Sequence, residues 1–239
     1  MKNIFSTTFF FEEVNPLYKV VNIILISLLV VGIYFIFFNS PPDYQQGNSV
    51  RIMYIHVPAA WMSLMLYFLL GFFSVGLIVF KIPMCDIIAN SIAPVGLTFS
   101  VITLITGSLW GKPMWGAWWV WDVRLTSFSI LTFFYFSYIS FREFNKNYHS
   151  AQNNAALLAV LGLINLPIVK FCVEIWNSLH QPTSLFKRSG PTIDKSMMVP
   201  LVIMILFSLF YSLSLALVKI RASIYEKKIA KFLSLSSKH

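Results

Sequence analysis

Residues 20–38 read V-V-N-I-I-L-I-S-L-L-V-V-G-I-Y-F-I-F-F, a run with no charge and a single amide, Asn22. A helix rises 1.5 Å per residue, so about 20 such residues match the roughly 30 Å hydrocarbon core of a bilayer. In lipid the backbone must satisfy its own N–H and C=O groups, and a helix does so within one segment. Working outward from this run, roughly six stretches meet the same criterion. They are Val20–Phe38, Val57–Phe80, Ile87–Leu109, Leu125–Phe141, Asn153–Phe171 and Met197–Lys219. The fifth contains Asn153, Asn154, Asn165 and Pro167, which suits a helix that faces protein rather than lipid. The expected fold class is all-α: a polytopic membrane protein with six transmembrane helices. Residues 1–239 are expected to form one integral membrane domain.

Composition agrees. The chain is 57% hydrophobic and only 11% charged, where soluble domains carry about 25% charged residues. No polar stretch is long enough to bury a core of its own. The net charge of +9 would point to nucleic acid in a soluble protein. Here the basic residues sit at the ends of apolar runs, so topology explains them, and no nucleic-acid partner is expected. The two cysteines, Cys85 and Cys172, fall at opposite ends of spans and are not expected to pair. Glu12 and Glu13 follow the first apolar patch without an obvious cleavage site, so a cleavable signal peptide is not expected.

Orientation follows from lysine and arginine. Lys219, Arg221, Lys227, Lys228, Lys231 and Lys238 crowd the C-terminal tail, which assigns the tail to the cytoplasm or the mitochondrial matrix. An even span count puts the N-terminus there too, in the bacterial inner membrane or, for an organelle-encoded chain, the mitochondrial inner membrane. The opposite side then receives segments 39–55, 110–124 and 172–196. These hold Arg51, Lys112, Arg124, Lys187, Arg188 and Lys195, more cations than the positive-inside rule favours: either the orientation is inverted or these cations have a role, and the dense tail cluster favours the second.

The segment from Trp110 to Arg124, W-G-K-P-M-W-G-A-W-W-V-W-D-V-R, contains five of the seven tryptophans. Two readings stand. Tryptophans gather at membrane interfaces as a belt, and they also make platforms for flat ligands. If Pro113 opens a short helix, Trp115, Trp118, Trp119 and Asp122 fall at i, i+3, i+4 and i+7 and share one face. That face would be an aromatic shelf for a large planar ligand.

Of the four histidines, only His56 and His180 fall on the side of the tryptophan segment. Helix parity forces this, whichever way the chain is inserted. A lone boundary histidine is ordinarily an interfacial polar residue. A pair beside an aromatic shelf is also the donor set that holds heme iron from both faces of a porphyrin. Arg51, Lys112, Arg124, Lys187 and Arg188 are available for the two propionates; taken singly, each also reads as a solvated loop charge.

At this point the residues resemble a known family. W-G-K-P-M-W-G-A-W-W-V-W-D-V-R-L-T is similar to the signature of the tryptophan-rich heme-handling membrane proteins. M-Y-I-H-V-P-A-A-W-M-S and W-N-S-L-H-Q-P resemble the heme exporter protein C (CcmC) branch of cytochrome c maturation. The likeness runs roughly from Arg51 to Ser184. It implies that Trp115, Trp118, Trp119, Trp121 and Asp122 lie in the heme-contacting loop and that His56 and His180 are the axial ligands. It implies heme b as cofactor, presented at the outer membrane face and transferred to the heme chaperone CcmE, which bonds heme through its own histidine. The one-span protein CcmD and the ABC transporter CcmA/CcmB are the further partners it implies. Whether such a lyase-like handover counts as an enzyme is partly naming; Asp122 is the only acid–base candidate, and a structural role suits it better. The tail beyond Lys219 lies outside the motifs. Two rival readings stand beside the heme handover. A membrane cytochrome would need histidines within its spans. A transporter passing heme through the bundle would need polar or broken helices at the midplane, for which Asn165 and Pro167 are the one hint.

Overall fold

The computed structural model of the chain describes residues 6–14, 16–144, 148–176, 180 and 193–236. These residues are helical apart from short connections. A short turn α1 (Thr7–Phe9) leads into α2 (Leu17–Tyr34), followed by α3 (Met53–Phe80), α4 (Pro83–Trp115) and α5 (Val123–Phe144). Then come α6 (Tyr148–Gly162), α7 (Asn165–Ile175) and the long α8 (Lys195–Ser236).

The six expected spans are covered, with α6 and α7 together forming the fifth. Among the described residues, five segments are long and apolar enough to cross a membrane: Leu17–Asn39, Asn48–Phe80, Pro83–Trp115, Ser150–Cys172 and Lys195–Ala230. Helix α5 falls outside that set because serines, threonines and tyrosines dilute its apolar run. It nonetheless lies against α4, α6 and α7 as a full member of the bundle.

Helices α3 and α4 form the central pair. Helix α8 packs on both and carries α2 on its outer side, while α5, α6 and α7 cover the other flank. The main core joins Tyr67 and Leu70 of α3, Ala93 of α4, Leu131 and Tyr135 of α5 and Ala159 of α6. Tyr135 crosses α4 above Gly96 to donate its hydroxyl to the Ser63 carbonyl at 2.7 Å.

The break between α6 and α7 has a local cause. Pro167 has no N–H to continue the helix ladder, and the Leu163 carbonyl instead accepts from Leu166 N at 3.2 Å. Asn165 is buried and donates from Nδ2 to the Ser127 carbonyl at 2.8 Å. It faces protein, as expected of this span, whereas Asn153 and Asn154 are exposed near its start.

At one end of the bundle Asp86, only 1% exposed, receives Arg142 at 2.5 Å and Lys227 at 3.1 Å. The start of α4, the end of α5 and the distal part of α8 thus meet at the same end. His56, Trp110 and Trp115 occupy segments whose contacts converge at the other. The alternation expected from span parity is therefore realised in the packing.

Candidate functional site

The tryptophan segment departs from the expected shelf. Residues Trp110–Trp115 are the last turns of α4, with Pro113 inside the helix rather than opening a new one. Gly116, at φ 74°, closes α4 through its N–H to the Lys112 carbonyl. The chain then runs without helix to Asp122, whose Oδ1 accepts from Leu125 N at 2.8 Å and caps α5. Trp115, Trp118, Trp119 and Asp122 therefore do not share a helical face. The glycine after Trp115 decided this: its left-handed conformation ends a helix that the i, i+3, i+4 count had carried through it.

The tryptophans have separate surroundings. Trp115 folds back over Gly111. Trp118 is exposed, with Lys112 Nζ 5.8 Å from its ring centre. Trp121 is the most exposed of the set at 79% and meets Trp119 edge-on at 5.5 Å. The Trp119 indole N–H is buried without a hydrogen-bond partner among the described residues.

The two histidines come together although 124 residues separate them (180 − 56). Their ring centres stand 6.4 Å apart at an interplanar angle of 32°. Trp110 meets His56 edge-on at 5.7 Å, and Trp115 lies 6.3 Å from His180. His56 is buried in the first turns of α3, and its Nδ1 is 3.0 Å from Thr106 Oγ1 on α4. Gly107 makes room for that ring: a Cβ there would sit 3.0 Å from His56 Cε1.

Of the expected cations, Arg124 is half-buried at the start of α5 and acts electrostatically on His56. Arg51 lies in the 3-10 turn Asn48–Ile52 ahead of α3, and its Nε is buried without a partner among the described residues. Lys112 is exposed and donates to the Gly116 carbonyl at 3.0 Å. Lys187 and Arg188 lie outside the described residues, as does the side chain of His149.

Three contributors were not singled out from sequence. Thr106 and Gly107 lie within what reads as an ordinary apolar span. Gln46 accepts from Trp110 Nε1 at 2.8 Å. It sits in a tight turn where Asp43 Oδ1 takes the N–H groups of Gln45 and Gln46. The P-P-D-Y-Q-Q-G stretch signals the turn, but not its target 64 residues away.

The family model described as "Heme exporter protein C" matches residues 1–234. The chain belongs to the heme exporter protein C family. The Bradyrhizobium diazoefficiens heme exporter protein C is 42% identical, over 85% of this chain and 77% of its own length. The Escherichia coli K12 heme exporter protein C is 41% identical, over 82% and 79%. A ccmC-like mitochondrial protein of cytochrome c biosynthesis from Marchantia polymorpha is 43% identical, over 78% of each chain. Relatives in the heme exporter protein C family thus span bacteria and mitochondria, and the multi-helix membrane architecture is that of a family of cytochrome c biogenesis.

Proposed function

We propose that this chain holds heme b between His56 and His180 at the outer face of the inner membrane and hands it to the chaperone CcmE. The observation that carries this reading is the 6.4 Å separation of the two imidazole centres. An imidazole nitrogen binds a metal at roughly 2.0–2.1 Å and its ring centre lies about 1.1 Å further back, so rings flanking one iron stand about 6.3 Å apart. The two ring centres thus have the spacing that a shared iron would require.

Heme supplies the iron that two imidazoles ligate and the vinyl edge to which the chaperone attaches. The chain supplies position. His56 and His180 give two nitrogen donors, with the Trp110 ring edge-on beside His56 and the Trp115 ring beside His180. Arg51 Nε and Trp119 Nε1, both buried with open donor capacity, suit the propionate oxygens, and Arg124 adds charge beside His56. Trp118, Trp121 and Lys112 are exposed at the end of α4 and on the connection to α5, where an incoming protein reaches them.

The same reading places both termini on the cytoplasmic or matrix side and assigns CcmD and CcmA/CcmB as complex partners. A route for heme through the bundle draws no support from the α6–α7 break, because Leu166 N and Asn165 Nδ2 close it with hydrogen bonds. The decisive experiment is the absorbance spectrum of the purified protein with His56 and His180 both changed to alanine. Loss of the low-spin heme bands is expected; an unchanged spectrum overturns the assignment.

A further inference from the structure

Thr103, Thr106, Gly107 and Trp110 fall at i, i+3, i+4 and i+7 on α4, and so form one stripe of that helix. All four reach His56: Thr103 by its backbone carbonyl, Thr106 by its hydroxyl, Gly107 by the space it leaves, and Trp110 by its ring edge. The chemistry of this stripe bears on which nitrogen of His56 carries a proton.

A threonine hydroxyl has one hydrogen to donate and two lone pairs to accept with. Thr106 Oγ1 is 2.6 Å from the Ile102 carbonyl and 3.3 Å from the Thr103 carbonyl, and both of those oxygens can only accept. Its hydrogen is therefore committed to its own helix, a common back-bond for threonine in apolar surroundings. The 3.0 Å contact with His56 Nδ1 must then run the other way, with imidazole N–H as donor. A neutral imidazole protonated at Nδ1 keeps its lone pair on Nε2.

We propose that Thr106 is a positioning residue for His56: by accepting the Nδ1 proton it selects the tautomer and ring heading that leave Nε2 free to ligate heme iron. The inference rests on the reading of His56 as an iron ligand and adds the residue that prepares it. A ligating histidine whose second nitrogen donates a hydrogen bond is oriented by it and made a stronger donor, and loss of such a partner typically costs about 10–100-fold in metal affinity.

The test uses the full-length protein in detergent, first without heme. With 15N-labelled histidine, the His56 signals are assigned by their disappearance in His56→Gln. Wild type is expected to show protonated Nδ1 and bare Nε2. Thr106→Val keeps the shape but removes the hydroxyl acceptor, leaving the Thr103 carbonyl beside the ring, and should weaken the tautomer preference toward a mixture; Thr106→Ser should keep the wild-type pattern. After titration with ferric heme, Thr106→Val should bind at least about tenfold more weakly and show a raised midpoint potential, and Thr106→Ser should restore both. Thr106→Ala serves the same comparison should the valine form fail to accumulate.

A Thr106→Val protein with the wild-type tautomer, affinity and midpoint potential overturns the proposal. If His56→Ala abolishes the low-spin bands in that same experiment, the ligand reading survives and only the role of Thr106 is lost. If His56→Ala leaves the bands intact, His56 is not a ligand and both fall.

Discussion

Asp86 and Arg142 form a contact pair across the end of the bundle remote from the histidines, the carboxylate 1% and the guanidinium side chain 9% exposed. Lys227 adds a second cation from α8. A buried charge that loses its partner is left in low dielectric, and breaking such a pair costs about 3–5 kcal/mol. Asp86→Ala should therefore lower the thermal midpoint of the purified protein and its level in the membrane. Asp86→Glu should recover part of the loss. A melting temperature for Asp86→Ala equal to wild type would show that the pair contributes nothing to the fold.

Gly107 lies against the His56 ring, with room for a Cβ only at 3.0 Å from Cε1. Gly107→Ala pushes the ring at the same Nδ1–Cε1 edge that Thr106 holds. A side chain forced off its preferred rotamer costs about 0.5–1.5 kcal/mol, so heme binding should weaken roughly threefold to tenfold. A heme titration with unchanged affinity would show that His56 can yield without consequence.

Trp118 and Trp121 are 56% and 79% exposed, and bury little on folding. Changing both to alanine should leave membrane levels near wild type. If these rings grip heme, each contributes on the order of 0.5–1.5 kcal/mol, and the double variant should retain heme about tenfold less well. Quantitative immunoblotting alongside heme content separates the two effects. Loss of the protein itself would identify the rings as packing residues.

Arg124 stands two residues beyond the Asp122 cap, at a rigid helix start. Arg124→Ala should keep the low-spin spectrum, since both histidines remain, yet pass heme poorly to CcmE. Arg124→Lys should restore only part of the transfer, because lysine cannot form the bidentate pair with a carboxylate. Complete transfer by Arg124→Ala removes Arg124 from the site.

Sidedness is open to direct labelling, because both native cysteines are buried. A cysteine replacing Tyr44, which is 91% exposed, should react with an impermeant thiol reagent from outside. One added beyond Lys228 should react only after the membrane is opened. The reverse pattern would invert the orientation while leaving the convergence of His56 and His180 untouched.

The spans were legible because the signal is local and one-dimensional. A run such as Val20–Phe38 announces itself by length and lack of charge, independent of what it packs on. Parity then placed His56, His180 and the tryptophan segment at one end, since each crossing reverses the chain. The break near Pro167 and the protein-facing Asn165 were legible for the same local reason: one residue lacks a donor and the other cannot face lipid alone. The motifs around His56, Trp118 and His180 were distinctive enough to point to the family.

Other features were settled only by packing. The expected shelf failed because one left-handed glycine, Gly116, outweighed a periodicity that ran on through it. No sequence pattern marks Asp86 as the acceptor of Arg142 and Lys227, which α5 and α8 bring to it in the folded bundle. Thr106 became a partner of His56 because α3 and α4 cross where they do. Read locally, the sequence sets where the apolar spans lie and which residues share an end of the bundle. The tertiary structure decided which side chains meet there, because a distance such as the 6.4 Å between His56 and His180 depends on the crossing and rotation of helices far apart in the chain, and no local pattern encodes it.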